Sequence, residues 1–138
     1  MEHLDLVMIV GSFGAQATLV FAAPHSALAQ PWNCIVGNTI SATIGVATYT
    51  VCADEREWVA AACAVSLSIT LMMVTHSVHP PGGATTLIAV LGSHRIHETG
   101  FMYVLFPACI GSCIFVTMGL ILNNLSSRRE RLYPVYWL

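Results

Sequence analysis

The stretch that decides the fold is His76-Ser77-Val78-His79-Pro80-Pro81-Gly82-Gly83, followed by the apolar run Ala84-Thr85-Thr86-Leu87-Ile88-Ala89-Val90-Leu91. Proline lacks a backbone N–H and disfavours helix in the residue before it, so continuous helix stops here. The pattern predicts an extended approach and then a short helix over residues 84–91, ~12 Å long at 1.5 Å per residue. That is about half of the ~30 Å hydrocarbon core of a bilayer. No charged loop separates the octet from the apolar run before it. It reads as a broken or re-entrant element at membrane depth, which is tolerated only where protein or water satisfies its polar groups.

The flanking sequence supports that reading. The chain has 138 residues, 56% hydrophobic and 9% charged. A soluble domain carries about a quarter charged residues. Runs of 48, 37 and 29 residues without Asp, Glu, Lys or Arg separate Asp5 from Asp54, Glu57 from Arg95 and Glu98 from Arg128. This excludes an ordinary soluble globule, a nucleic-acid binder and a disordered chain. What remains is an all-α polytopic transmembrane helical bundle. Its expected spans are residues 6–23 (interrupted by Gly11 and Gly14), 33–52, 58–75 and 101–122, about four in all, plus the broken short helix.

Small residues recur every fourth position: Gly37, Ser41 and Gly45; Ala60, Ala64 and Ser68; Gly111 and, eight residues on, Gly119. Such stripes let helix backbones approach in lipid. Trp58, Tyr103, Tyr133, Tyr136 and Trp137 sit near run ends, as interface anchors do. Arg128, Arg129 and Arg131 place the C-terminal end on the cytosolic or equivalent side. Five scattered cysteines without a CxxC pair read as buried free thiols.

Two segments echo each other at an offset of 69 residues. Gly14-Ala15-Gln16-Ala17-Thr18-Leu19-Val20 resembles Gly83-Ala84-Thr85-Thr86-Leu87-Ile88-Ala89. Each opens on glycine and leads into a short apolar helix. The repeat unit would be helix, glycine-started short helix, helix, with the first unit short of its opening helix. Duplicated units that bring broken helices together are a transporter plan. Helix N-termini carry unpaired N–H groups and partial positive charge, and glycine lets an anion come close. Ser12, Gly14 and Ala15 on one side, and Gly82, Gly83, Ala84 and Thr85 on the other, are therefore the expected anion-binding residues. His79 is the expected hydrogen-bond donor or proton partner.

His79-Pro80-Pro81-Gly82-Gly83-Ala84-Thr85 resembles the signature of the HPP family of small integral membrane proteins. Gly11-Ser12-Phe13-Gly14-Ala15, Phe21-Ala22-Ala23-Pro24, Ala29-Gln30-Pro31, Asn123-Asn124 and Tyr133-Pro134-Val135-Tyr136-Trp137 look like further blocks of that family, so the resemblance covers nearly the whole chain. It implies a single all-helical membrane domain over residues 1–138. Plant and cyanobacterial relatives are associated with nitrite transport, in plants at the chloroplast envelope, so the resemblance implies a nitrite carrier. Two features depart from it. The family block commonly reads Gln-Pro-Arg-Asn, whereas here it is Gln30-Pro31-Trp32-Asn33, and family domains usually open with one more helix, absent before Gly11.

The expected partners are the lipid bilayer, a small inorganic anion and further copies of the chain in a homo-oligomer. The expected membrane is the plasma membrane of a bacterium or an organelle envelope of a plant or alga. No cofactor is implied. His76 and His79 could meet on one turn, yet no carboxylate or thiolate stands at ligand spacing, so no metal is expected. No carboxylate pair, Ser-His-Asp order or phosphate-cradling glycine loop suggests an enzyme. The alternative to a carrier is a non-transporting scaffold or sensor module that works with a soluble partner. Gln16, Asn38 and Thr75 are polar groups in apolar runs, expected to bond between helices or to line a polar path. His94, Arg95, His97 and Glu98 read as a solvated loop.

Overall fold

The computed structural model describes residues 2–52, 56–125 and 132–138, with side chains from residue 9 onward in the first stretch. Asp54, Glu55, Arg128, Arg129 and Arg131 lie outside the described residues, so the orientation drawn from the arginines has no structural counterpart. All regular elements described are helical. Helix α1 (Glu2–Ala17) widens into a π turn over Thr18–Ala22. A 3-10 turn at Ala27–Ala29 and a second π turn at Asn33–Gly37 lead into α2 (Asn38–Cys52). Then come α3 (Glu57–Val74), α4 (Pro80–Leu91) and α5 (His94–Thr99). A third π turn, Val104–Cys109, opens α6 (Ile110–Leu125). Among the described residues three helices are long and apolar enough to cross a membrane: Asn33–Cys52, Glu57–Val74 and Val104–Leu125. Ile9–Ala22 and Pro80–Leu91 are shorter apolar helices.

The bundle has its apolar surface outside. Leu67, Ile69, Met73 and Val74 of α3 and Ile110, Ile114, Met118 and Ile121 of α6 are exposed. Ser12, Gln16, Asn38, Ser41, Ser68, Thr85, Thr86 and Ser112 are buried, with no Asp, Glu, Lys or Arg among the buried residues described. Water would penalise both halves of that arrangement, and lipid would penalise neither.

Helix α4 occupies the centre, against α1, α2 and α3. It runs parallel to α2, because Gly37 meets His79, Ser41 meets Gly82 and Gly45 meets Ala89. A Cβ on Gly45 would stand 2.6 Å from the Ala89 Cβ and 2.8 Å from the Thr86 carbonyl oxygen, so only glycine permits this crossing. Helix α3 runs the other way: Ala60, Ala61 and Ala64 pack on Val90, while Ser68 reaches Thr86. Helix α6 is antiparallel to α2 and parallel to α1. Helix α4 therefore leaves the end where α3 stops and finishes at the opposite end. The element is broken, as expected.

Several local expectations are corrected. Helix α4 starts at Pro80, not at Ala84, and so reaches ~18 Å. His79, just before the helix, is extended, at φ −138 and ψ 104. A proline in the first helical turn loses an N–H that had no intrahelical partner. Gly11 and Gly14 do not interrupt α1. A mid-helix glycine costs about 1 kcal/mol, whereas breaking the helix in an apolar setting strands several backbone groups. The last element runs to Leu125 and is kinked near its start, where Phe106 is non-helical before Pro107. The polar stretch after Ser93 is a short helix, with His94 Nδ1 3.3 Å from Glu98 Oε1.

Candidate functional site

The break between α3 and α4 is closed by side chains from the segment before α2. Helix α3 ends in a cap in which Ser77 N–H donates to the Met72 carbonyl and His76 N–H to that of Met73. This geometry normally places glycine at the left-handed position, but here His76 holds φ +52. Trp32 Nε1–H donates to the Thr75 carbonyl at 3.1 Å and Asn33 Nδ2 to that of Val78 at 2.9 Å. So Trp32, which departs from the family's arginine, still supplies an N–H donor to the broken segment.

His79, fully buried, occupies the N-cap position of α4 without a side-chain capping bond. Its Nδ1 lies 2.9 Å from the Leu28 carbonyl oxygen. A carbonyl only accepts, so Nδ1 carries the hydrogen, and in the neutral ring Nε2 is a bare acceptor. That Nε2 is buried and has no hydrogen-bond partner among the described residues. The Leu28 loop is tied down from the other side as well. Gln30 Nε2 donates to the Pro24 and Ser26 carbonyls, and its Oε1 accepts from the Val135 N–H at 2.9 Å. Tyr133 donates its hydroxyl to the Ala29 carbonyl at 2.9 Å. Asn124 brackets the Tyr133 backbone, and Asn123 Nδ2 donates to the Val20 carbonyl.

A second buried group joins the bundle core. Thr85 Oγ1 donates to Asn38 Oδ1 at 2.7 Å, and Asn38 Nδ2 donates to Ser112 Oγ at 2.9 Å and to Gln16 Oε1 at 3.3 Å. Ser12 Oγ lies 2.9 Å from Thr85 Oγ1 and donates to the Pro81 carbonyl at 3.2 Å. Ser41, Ser68 and Thr86 form a neighbouring cluster of hydroxyls.

The expected site residues thus divide. Ser12 and Thr85 meet inside the core, and His79 stands at the N-cap position of α4, with its ring bonded to the Leu28 carbonyl. Gly14 and Ala15 lie within α1 and face outward, so no second helix N-terminus opposes that of α4. Gly82 is packed against Ser41, while a Cβ on Gly83 would meet nothing within 4 Å, so one side of the α4 amide end is closed and the other open. Ala84 is half-buried beside it. Ser112 escaped the sequence reading because a serine in an apolar run is unremarkable until Asn38 is seen opposite it. No group of three His, Cys, Asp or Glu suited to a metal ion occurs among the described residues.

An apolar helical bundle with a polar seam defines the class: an integral membrane protein. The family model described as HPP, transmembrane region, matches residues 1–134, and the chain belongs to that family. Two transmembrane proteins of Dictyostelium discoideum are similar to it. One is 43% identical over 96% of this chain and 42% of its own length, and the other 44% identical over 99% and 48%. The chain therefore spans about half the length of these relatives. No solved structure matches it.

Proposed function

We propose that this membrane domain carries a small inorganic anion, with nitrite the leading substrate on family resemblance. The observation that carries the reading is the fully buried His79 at the head of a half-length helix, with Nδ1 committed to Leu28 and Nε2 left over. An anion beside the bare lone pair of Nε2 is repelled. A proton arriving with it turns Nε2 into a charged donor, so anion and proton travel together. The open side of the α4 amide end at Gly83 adds roughly 0.3–2 kcal/mol of attraction, which suits weak binding and quick release. The domain crosses the membrane several times and performs no bond chemistry; the organism decides between plasma membrane and organelle envelope.

The test is nitrite uptake into liposomes holding the purified protein, with the lumen made alkaline. Uptake above that of empty liposomes is expected, together with a tenfold or larger loss in His79→Ala. Gly83→Leu, whose Cβ would meet nothing within 4 Å, is expected to lose uptake by covering the amide end. Uptake indifferent to the proton gradient and to both substitutions would defeat the mechanism, and no uptake at all would defeat the function.

The length of the relatives beyond the matched region favours a second reading, a membrane module serving a soluble partner. A partner that co-purifies stoichiometrically with a transport-inactive protein would establish it.

A further inference from the structure

We infer that the domain is an inverted repeat and that its substrate anion is held on the repeat axis by the side-chain amide of Gln16. The inference rests on the anion-carrier reading and adds a second station, inside the core, to the one proposed beside His79 and Gly83. The echo of 69 residues relates α1 to α4, and an offset of 74 relates α2 to α6, bringing Gly37 onto Gly111, Asn38 onto Ser112 and Gly45 onto Gly119. Contacts repeat under these offsets. Gly45 packs on Ala89 as Gly119 packs on Val20, and Ser41 lies against Gly82 as Phe115 lies against Phe13. Because α1 parallels α6 and α4 parallels α2, while α2 and α6 run oppositely, the second unit is the first turned over. Residues that are each other's counterparts can touch only at the two-fold axis. Ser12 bonds to Pro81 across 69 positions, and Asn38 to Ser112 across 74. The axis therefore passes through the polar core, where Gln16 and Thr85 are also counterparts.

The hydrogen-bond inventory of that core selects the ligand. Asn38 Oδ1 accepts from Thr85, and Gln16 Oε1 accepts from Asn38 and Ser112. Gln16 Nε2 is buried, at 0% exposure of the residue, and has no hydrogen-bond partner among the described residues, although the weakly accepting Cys34 thiol lies beside its side chain. The thiol can take at most one of the two amide N–H groups, so at least one N–H remains without an acceptor among the described residues, surrounded by neutral hydroxyls and amides. That is a site for a small acceptor, such as an oxyanion, and not for a cation. Its place on the axis lets it serve both units equally, as a substrate site between inverted repeats does.

The experiment is a thermal-shift titration of the purified full chain in detergent with nitrite, nitrate, formate and chloride, alongside nitrite uptake. Wild type is expected to be stabilised by nitrite. Gln16→Met, of similar length but without the amide, is expected to bind about tenfold or more weakly and to raise KM for uptake. Exchanging the two counterparts in Gln16→Thr/Thr85→Gln places the amide on the other side of the axis and is expected to restore binding; it also serves if Gln16→Met does not fold. If no anion stabilises the wild type and uptake is absent, the carrier reading fails. If wild type binds and both Gln16 variants bind and carry nitrite equally well, the axis site is overturned while the carrier reading stands.

Discussion

Helices α1 and α4 carry related sequence words that share an opening Gly-Ala, and take them in opposite senses. In α1 the word begins in mid-helix, and Gly11 and Gly14 look outward with nothing within 4 Å of a Cβ. In α4 the word falls at the first turn, three residues after the helix starts at Pro80; Gly82 is pressed against Ser41, while Gly83 faces open space. The difference is the preceding His-Pro-Pro. Glycine lowers helix stability by about 1 kcal/mol without removing a donor, whereas proline removes the donor itself. Glycine alone is a weak stop, and it becomes a site of close packing only where another backbone needs its space.

That contrast can be broken or sharpened by substitution. The largest effect is expected from Gly45→Leu, which drives a side chain into Ala89 and the Thr86 carbonyl. It should prevent a monodisperse bundle, read by size-exclusion chromatography, with a cost above about 3 kcal/mol. Next comes Asn38→Leu, which strands the Gln16, Thr85 and Ser112 groups it joins. A loss of about 1–3 kcal/mol is expected in a denaturant titration, and no loss would mean that the core network is ornamental. Gln30→Ala should cost about 1–2 kcal/mol and expose the 133–138 segment to limited proteolysis, because Val135 and Tyr136 lose their common acceptor. The smallest effects are gains. Gly14→Ala, in open helix, should stabilise by about 0.5–1 kcal/mol in the same titration, whereas Gly82→Ala should destabilise. His76→Gly should add about 0.5–1 kcal/mol by relieving a left-handed residue at the α3 cap.

Particular residues show where the sequence was legible. Uncharged runs announced the long helices, and Pro80-Pro81 announced the break, because both signals are local and chemical. The exact start of α4 was misplaced because the first helical turn forgives proline. The kink that opens α6 has no clear local signal, because Pro107 sits inside an unbroken apolar run. At the site, Ser12, Thr85 and His79 could be singled out as polar groups beside an echo, yet Ser112 had no local mark. The roles of Gln30 and Asn124 were equally silent, since each bonds to backbone groups far along the chain.

The sequence by itself determined that this is a helical membrane protein of the HPP family with a forced break at His79, because hydropathy and missing backbone donors act over a few residues. Only the tertiary structure decided that α4 runs to the far end of the bundle, that Gly14 is no helix start, and that Gln16, Asn38, Thr85 and Ser112 converge. Those outcomes depend on which helix faces meet, and packing across 22 to 96 positions leaves no trace in any single stretch of chain.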